Sequence, residues 1–279
     1  MYYRIGTIKT IKEGEHEVDI KRDFTQEEQE KYFQYRKYLG LHINNKNLYN
    51  LIVRNGEEFE HFLDTIKDKD PSEIGSPDYV VFEANRLFMN YLSMIRTYID
   101  HIPSSLSKTF DSKVKDEFDE FLSVIYDNYF EYRFLYKLRN LAQHFGIPIS
   151  NLISNEQGNH ITMSQSYLLS YKKWGTVKEE VKNMEESIPV KGLALRMNVI
   201  MNTVYLFVMK FYVEGINESI EWFDSLQGEL GGSTILAVSD SAEEYGKGKF
   251  NFQPMNTDEF INAVHDLNEN PGINIKLIK

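Results

Sequence analysis

The feature that most constrains the fold is a series of apolar residues at helical spacing near the middle of the chain. Within residues 81–102 they recur every three or four positions, as Ala84, Phe88, Tyr91, Leu92, Ile95, Tyr98, Ile99 and Ile102. This spacing places them on one face of an α-helix. Pro103 and the two serines after it are expected to end the helix. A second helix with an acidic face follows from residue 111, and a third covers residues 129–144, either continuous with the second or broken near Asn128.

The N-terminal region predicts a mixture of strands and helices. Residues 1–22 alternate apolar and polar side chains and favour a β-hairpin. A helix beginning near Thr25 is expected to close at Gly40, and a second short helix covers residues 57–67. The polar segment 68–77 contains proline and glycine and is typical of a loop or linker.

The chain after residue 148 is more varied. A hairpin or an extended excursion is expected within residues 147–170, a short amphipathic helix within 174–184, and one long apolar helix from Leu193 to about Leu226. The glycine-rich segment 227–233 marks a second boundary. We expect a strand at 234–239, a polar loop, a helix from about Thr257 and a last strand at 273–279. The expected division is therefore 1–77, 78–226 and 227–279.

Composition excludes several classes of protein. With 42% hydrophobic and 14% aromatic residues, the chain of 279 residues is expected to be folded. It contains no cysteine, which excludes disulfides, thiol nucleophiles and thiolate metal sites. The N-terminus lacks the apolar core of a signal peptide, and Arg196 and Lys210 interrupt the most apolar stretch. We therefore expect a cytoplasmic protein without membrane contact.

The net charge of −11 argues against a protein that coats nucleic acid through bulk electrostatics. A local basic pocket remains compatible with it. Nucleotide-binding glycine loops, zinc-protease motifs and serine-hydrolase elbows are all missing from the sequence. The histidines outside residues 129–148 are scattered singly, so neither a metal nor a cofactor is predicted.

Residues 129–148 carry the most unusual polar surface. On a helix, the apolar side falls on Phe134, Leu135, Leu138, Leu141 and Ala142. The opposite arc consists of Arg133, Tyr136, Arg139, Asn140, Gln143 and His144. Gly146 is expected to form a left-handed cap, and Pro148 prevents continuation. Such an arc suits binding of a phosphate and proton transfer, but a histidine with Arg and Asn at a helix end is also typical of a cap over the last carbonyls.

The spacing of Arg139, Asn140 and His144 resembles the signature of the HEPN superfamily (higher eukaryotes and prokaryotes nucleotide-binding domains). In that signature an Arg, often followed by a small polar residue, precedes a His by four to six intervening residues. The helix at 82–101 is similar to the first long helix of the HEPN bundle, and the helix at 130–144 to the one that bears the motif. The resemblance covers roughly residues 78–225.

The resemblance implies a mainly α protein, with a HEPN-like helical bundle and small α+β additions at both ends. It also implies a metal-independent endoribonuclease with a toxin, antiphage or abortive-infection role. Arg139 would bind the scissile phosphate, His144 would exchange a proton with the ribose 2′-hydroxyl or leaving oxygen, and Asn140 would orient one of them. Further contacts with RNA would come from Arg133, Tyr136, Lys137 and Gln143.

The same resemblance implies a homodimer paired through the motif helix. Arg139 and His144 are five residues apart, about 140° around a helix, so they do not stack on each other. A second copy related by a two-fold axis would bring both arcs into one cleft. An antitoxin or regulatory protein is a further partner compatible with this role.

Two alternatives belong to other functional classes. One is a non-catalytic module that uses the same pocket for a nucleotide, RNA or protein. The other is a structural, dimerising helical domain. Glu83, Asn85, Arg86 and Asn90 are weaker candidates for a polar shell around the motif, and a structural role is favoured for them.

Overall fold

The computed structural model describes residues 1–255 and 257–269, and 64% of these described residues are helical. The predicted mainly α class is confirmed. The α-helices of the described residues are α1 (Gln26–Lys67), α2 (Pro77–Thr109), α3 (Ser112–Asn128), α4 (Phe130–His144), α5 (Gln165–Ser170), α6 (Lys178–Lys182), α7 (Leu193–Met209), α8 (Val213–Leu230), α9 (Ala242–Gly246) and α10 (Asp258–Asn268). The strands are β1 (Tyr2–Lys12), β2 (Glu15–Asp23), β3 (Asn151–Asn155), β4 (Gly158–Ser164), β5 (Ser187–Pro189), β6 (Thr234–Ser239) and β7 (Asn251–Pro254).

The chain divides into two compact units. One combines Met1–Ile43 with Met209–Lys279, and the other is Asn44–Val208. This differs from the predicted division at residues 77 and 226. The physical reason is strand pairing between the two ends of the chain, because β1 lies antiparallel to β6. Local composition carries no information about such a distant pairing.

The unit formed by the chain ends contains an antiparallel sheet of order β2-β1-β6-β7. The predicted hairpin at the N-terminus and the strand at 234–239 are confirmed. Phe223 of α8 contacts Tyr32 of α1 and Phe260 of α10, with ring centroids 6.2 and 5.0 Å away. The helix predicted near Thr257 is confirmed as α10, whereas the predicted polar loop before it contains α9 and β7. The strand predicted at 273–279 lies outside the described residues.

Two predicted helix ends are wrong. α1 passes through Gly40 without a break, and the separate helix expected at 57–67 is its C-terminal part. A glycine inside a helix costs only about 1 kcal/mol relative to alanine, so it does not end a helix that buries apolar residues on both sides. α2 continues through Pro103. Ile102 and Leu106 are both fully buried, and this packing offsets the hydrogen bond that proline removes.

The long helix predicted from Leu193 to about Leu226 is also wrong, because the chain turns at residues 210–212 between α7 and α8. Tyr212 has φ −125°, far from the helical value, and its side chain is fully buried. Within the described ranges, no single helix has both the length and the apolarity to cross a membrane. Among these residues, only α7 and α8 taken together, as a bent pair of helices, have that length and apolarity.

In the unit Asn44–Val208, the strands β3, β4 and β5 form a small antiparallel sheet. The hairpin predicted within residues 147–170 is confirmed as β3 and β4. The helix predicted at 174–184 is present as a 3-10 turn, Gly175–Val177, followed by α6. The buried Asn159 side chain donates to the carbonyls of Ile66 and Lys69, at 2.8 and 2.7 Å. The sheet therefore caps the C-terminal end of α1.

A buried carboxylate joins α1 to the start of α7. Both Glu60 oxygens accept from the backbone N–H of Gly192 at 2.9 Å, and one also accepts from Ala194 at 3.2 Å. Glu60 is only 5% exposed. A negative charge at a helix N-terminus is favourable, because the unpaired N–H groups there carry partial positive charge. Glu60 thus fixes where α7 begins relative to this part of α1.

We expect Glu60→Gln to lower the free energy of unfolding by roughly 1–3 kcal/mol, because an amide nitrogen cannot accept from these N–H groups. Urea denaturation followed by circular dichroism measures the change. Glu57→Gln, at an exposed position on the same helix, is the matched control and is expected to have no comparable effect. Equal stability of the two variants would contradict the assigned capping role.

Candidate functional site

α4 begins directly after α3, and Tyr129 caps both helices. This confirms the predicted alternative of a break near Asn128. The expected apolar face is also confirmed, since Phe134, Leu135, Leu138 and Leu141 are each at most 1% exposed. The polar arc of α4 therefore faces outward as a direct consequence of which residues are buried.

The end of α4 is built differently from the prediction. Gly146 does not adopt a left-handed φ. Instead, the N–H groups of Phe145 and Gly146 both donate to the carbonyl of Leu141, at 2.9 and 3.2 Å. Gly146 lies close to Tyr167 of α5, because a Cβ at position 146 would overlap the Tyr167 hydroxyl oxygen and that side chain would have to move. The loop after α4 is thus held tightly against α5.

Asn85 of α2 fixes the same loop from the other side. Its buried amide donates to the carbonyl of Ile149 at 2.9 Å and accepts from the Ile149 N–H at 3.0 Å. The structural role favoured for Asn85 is confirmed. Glu83 and Arg86 pair with each other on the surface of α2, and this contact with Arg86 lowers the pKa of Glu83. Asn90 is exposed on the same helix.

Arg133, at the start of the polar arc, is held by other parts of the chain. Its Nε lies 3.0 Å from a carboxylate oxygen of Glu180 on α6. Its Nη1 donates to the carbonyls of Tyr126 and Asp127 at the end of α3, at 3.1 and 3.2 Å. The hydrogen bonds to Glu180 raise the pKa of Arg133. Arg133 therefore joins three helices, and its predicted contact with RNA gains no support from this geometry.

Tyr136 is also engaged, through a residue that sequence patterns missed. Arg96 of α2 donates from Nη1 to the Tyr136 hydroxyl at 2.7 Å and from Nε to Asp100 at 2.8 Å. In the sequence, Arg96 could have been recognised because it lies among the regularly spaced apolar residues of α2, next to Ile95 and between Leu92 and Ile99. A cation there needs a specific polar environment.

Five polar residues in the C-terminal half of α4 have no partner in the part of the chain that the structure describes. The side chains of Lys137, Arg139, Asn140, Gln143 and His144 form no hydrogen bond or ion pair there. Gln143 and His144 are exposed, and the others are partly buried. The predicted alternative, a histidine that caps the last carbonyls, requires a bond from the His144 ring that is missing among the described contacts.

Arg139 is the most unusual of these residues. Its Nε is buried without a hydrogen-bond partner among residues 1–255 and 257–269. The side chain lines a narrow crevice between α2 and α4, together with Leu92, Ile95, Arg96, Ile99, Leu135 and Tyr136. Leaving a buried donor unpaired costs roughly 1–3 kcal/mol. An anionic oxygen from another molecule would satisfy this donor.

A wider groove adjoins the crevice, with a volume of about 660 Å³ between α2, α3 and α4. Arg96, Ile99 and Tyr136 line both spaces, so the crevice and the groove are direct neighbours. The groove carries both charges, on Arg96, Lys115, Lys137, Asp100, Asp119 and Asp127. Tyr132 lies in its wall, and burial raises the pKa of that hydroxyl, which keeps it neutral.

The arrangement can bind an anion and transfer a proton. A guanidinium binds phosphate oxygens through directed hydrogen bonds, and an exposed imidazole exchanges protons near neutral pH. Among the described residues there is no group of three or more His, Asp or Glu side chains placed to hold a metal ion.

Comparisons with known proteins add no family assignment. No protein-family model matches this chain, and neither a curated protein nor a solved structure matches it.

Two arginine substitutions on α4 are expected to have opposite effects on stability. Arg133→Met removes charged hydrogen bonds to α3 and α6 and is expected to lower the free energy of unfolding by about 2 kcal/mol. Arg139→Met keeps the aliphatic stem but removes a buried unpaired donor, and is expected to raise stability by about 1 kcal/mol. Chemical denaturation of both variants measures this. A loss at Arg139 as large as that at Arg133 would show that Arg139 holds the fold together.

Proposed function

We propose that this protein is a HEPN-like, metal-independent endoribonuclease that cleaves RNA by attack of a ribose 2′-hydroxyl on the adjacent phosphate. The observation that carries the proposal is the group Arg139, Asn140 and His144 at the end of α4. These side chains match the Arg-x4-His signature and find no partner in the described part of the chain.

In this mechanism Arg139 binds a non-bridging oxygen of the scissile phosphate and stabilises the charge that builds up during attack. His144, in its neutral form, accepts the proton of the 2′-hydroxyl as the 2′-oxygen bonds to phosphorus. The bond from phosphorus to the 5′-oxygen breaks, and that oxygen takes up a proton. Asn140 orients one of the reacting groups. The products are a 2′,3′-cyclic phosphate and a 5′-hydroxyl.

The proposal includes a homodimer through α4. Arg139 and His144 point about 140° apart on one helix, so a single copy presents half of a site. Apolar residues directly after His144 support an interface, since Phe145 is 49% and Ile147 52% exposed. A second copy related by a two-fold axis would cover them and bring Arg139 of one protomer near His144 of its partner.

The biological setting in this proposal is the cytoplasm, as a toxin or antiphage effector whose activity an antitoxin or regulatory protein restrains. This part rests on the resemblance to the HEPN superfamily. The competing hypothesis is a non-catalytic module that binds a nucleotide, RNA or a protein through the same residues. The two differ in turnover, which makes an RNA cleavage assay the deciding measurement.

We expect the purified protein to cleave RNA in the presence of EDTA, and Arg139→Ala and His144→Ala each to lower kcat/KM at least about 100-fold. Matched controls are Arg86→Ala and His101→Ala on α2, which change the same residue types at exposed positions. Mass spectrometry of the products should find 2′,3′-cyclic phosphate ends. Equal cleavage by wild type and motif variants would exclude these residues from the mechanism, and loss of wild-type activity in EDTA would reject metal independence.

Mixing the two inactive variants tests the shared site. If Arg139 and His144 act from different protomers, an equal mixture contains heterodimers with one intact site, and about a quarter of wild-type activity should return. The expected recovery requires exchange of subunits, which sedimentation of differently labelled chains measures. If exchange occurs without recovery, each site is contained within one protomer.

A further inference from the structure

The groove between α2, α3 and α4 contains acidic residues that a surface for binding the RNA phosphate backbone does not need. Three of its charged residues are carboxylates, which repel phosphate. Asp100 and Asp119 are neutralised by Arg96 and Lys115, with which they form ion pairs. The Asp127 carboxylate forms no hydrogen bond or close ion pair among the described residues. Its charge interacts with Arg133 at longer range and, after the hydrogen bonds to Glu180, raises the pKa of Arg133. The groove therefore offers an acceptor for hydrogen-bond donors of a ligand.

Asp127 lies in the last turn of α3, where a carboxylate is unfavourable because the helix C-terminus carries partial negative charge. The guanidinium of Arg133 is bound to the Asp127 carbonyl, 3.2 Å away, and offsets part of this cost. It makes no hydrogen bond to the Asp127 carboxylate, whose oxygens remain available. Arg133 thus holds the backbone of Asp127 in place and leaves its carboxylate without a hydrogen bond.

Lys137 of α4 is the complementary group. It lines the same groove, and its ammonium forms no ion pair or hydrogen bond within the described ranges. A lysine at such a position can donate to a carbonyl or ring nitrogen of a base. The groove therefore contains an available acceptor and an available donor.

Three tyrosines also line the groove. The ring of Tyr126 meets those of Tyr132 and Tyr136 edge to face, with centroids 6.4 and 6.3 Å apart. Tyrosine rings provide flat surfaces on which a nucleobase can stack. A volume of about 660 Å³ is within the range of pockets that hold small ligands.

We infer that this groove is a nucleotide subsite that selects guanine. Guanine presents two adjacent donors, N1–H and the 2-amino group, to a carboxylate such as Asp127. On its other edge it presents the acceptors O6 and N7, which a lysine such as Lys137 contacts. Uracil offers one N–H between two carbonyls and matches the carboxylate poorly. Tyr126 supplies the stacking surface, because the guanidinium of Arg96 lies over the Tyr136 ring, 5.2 Å from its centroid.

Arg96 connects this subsite to the motif, because it lines both the groove and the crevice that contains Arg139. A nucleotide with its base in the groove can therefore place its phosphate toward Arg96 and Arg139. Resting on the proposed ribonuclease function, this geometry assigns cleavage at phosphates next to guanosine. Binding of a free nucleotide is independent of that function.

Isothermal titration of the full-length protein with GMP, AMP, CMP and UMP tests the subsite. GMP is expected to bind at least about tenfold more tightly than UMP, in line with the discrimination of one good bidentate contact. Ser123→Trp, which fills the groove from α3, should abolish binding, while Glu120→Trp, outside the groove on the same helix, should leave it unchanged. Asp127→Asn should bind GMP and UMP equally, and it is not expected to unfold the protein because it removes a charge unfavourable to α3.

The result that would overturn the subsite is absence of GMP binding, equal affinity for the four nucleotides, or binding that Ser123→Trp does not change. His144→Ala separates this proposal from the ribonuclease function, since it should keep GMP affinity while losing cleavage. GMP binding in a protein that cleaves no RNA would retain the subsite and reject the ribonuclease. Cleavage without preference for guanosine and without GMP binding would retain the ribonuclease and reject the subsite.

Discussion

The packing of α4 against α2 determines which side chains are available for function. Leu135, Leu138 and Leu141 are buried, and a helix that buries these positions must turn Arg139, Asn140, Gln143 and His144 away from the core. The crevice between the two helices holds Arg139 deeply enough to remove water from its Nε, yet supplies no acceptor among the described residues. The hydrophobic contact thus creates both the stability of this seam and the unpaired donor within it.

The polar arc of α4 is divided into a supporting part and an available part. Arg133 and Tyr136, in its first half, bond to α3, α6 and Arg96 of α2. The last turn has no such neighbours for the side chains of Gln143 and His144. The two parts differ because neighbouring elements cover the first turns of α4, whereas the helix ends at His144 without such cover from the described residues. A rigid first half can hold the second half in place while that half meets another molecule.

Local periodicity predicted what depends on neighbouring residues: the helical faces of α2 and α4 and both hairpins. It left open whether α3 and α4 are continuous or broken near Asn128. It failed where packing between residues distant in the sequence determines the structure. Gly40 and Pro103 were expected to end helices, but buried residues on both sides outweigh their local cost. The pairing of β1 with β6 brings together segments more than 200 residues apart, which no local pattern encodes. The ion pair of Arg133 and the hydrogen bond from Arg96 to Tyr136 required the tertiary structure.

The protein carries a net charge of −11, which bears on how it could bind RNA. At 0.1 M salt, screening limits the range of this negative charge to about 10 Å. Under the proposed function, RNA binding therefore depends on the few cations at the site. Arg96 pairs with Asp100 and Lys115 with Asp119. Lys137 in the groove and Arg139 in the crevice are then the cations there without an acidic partner in the described chain. Two such cations hold a phosphate poorly against water and salt. Under the proposed dimer their number doubles in one cleft, so assembly would control RNA affinity as well as catalysis, and a protein that covers Phe145 and Ile147 would restrain both.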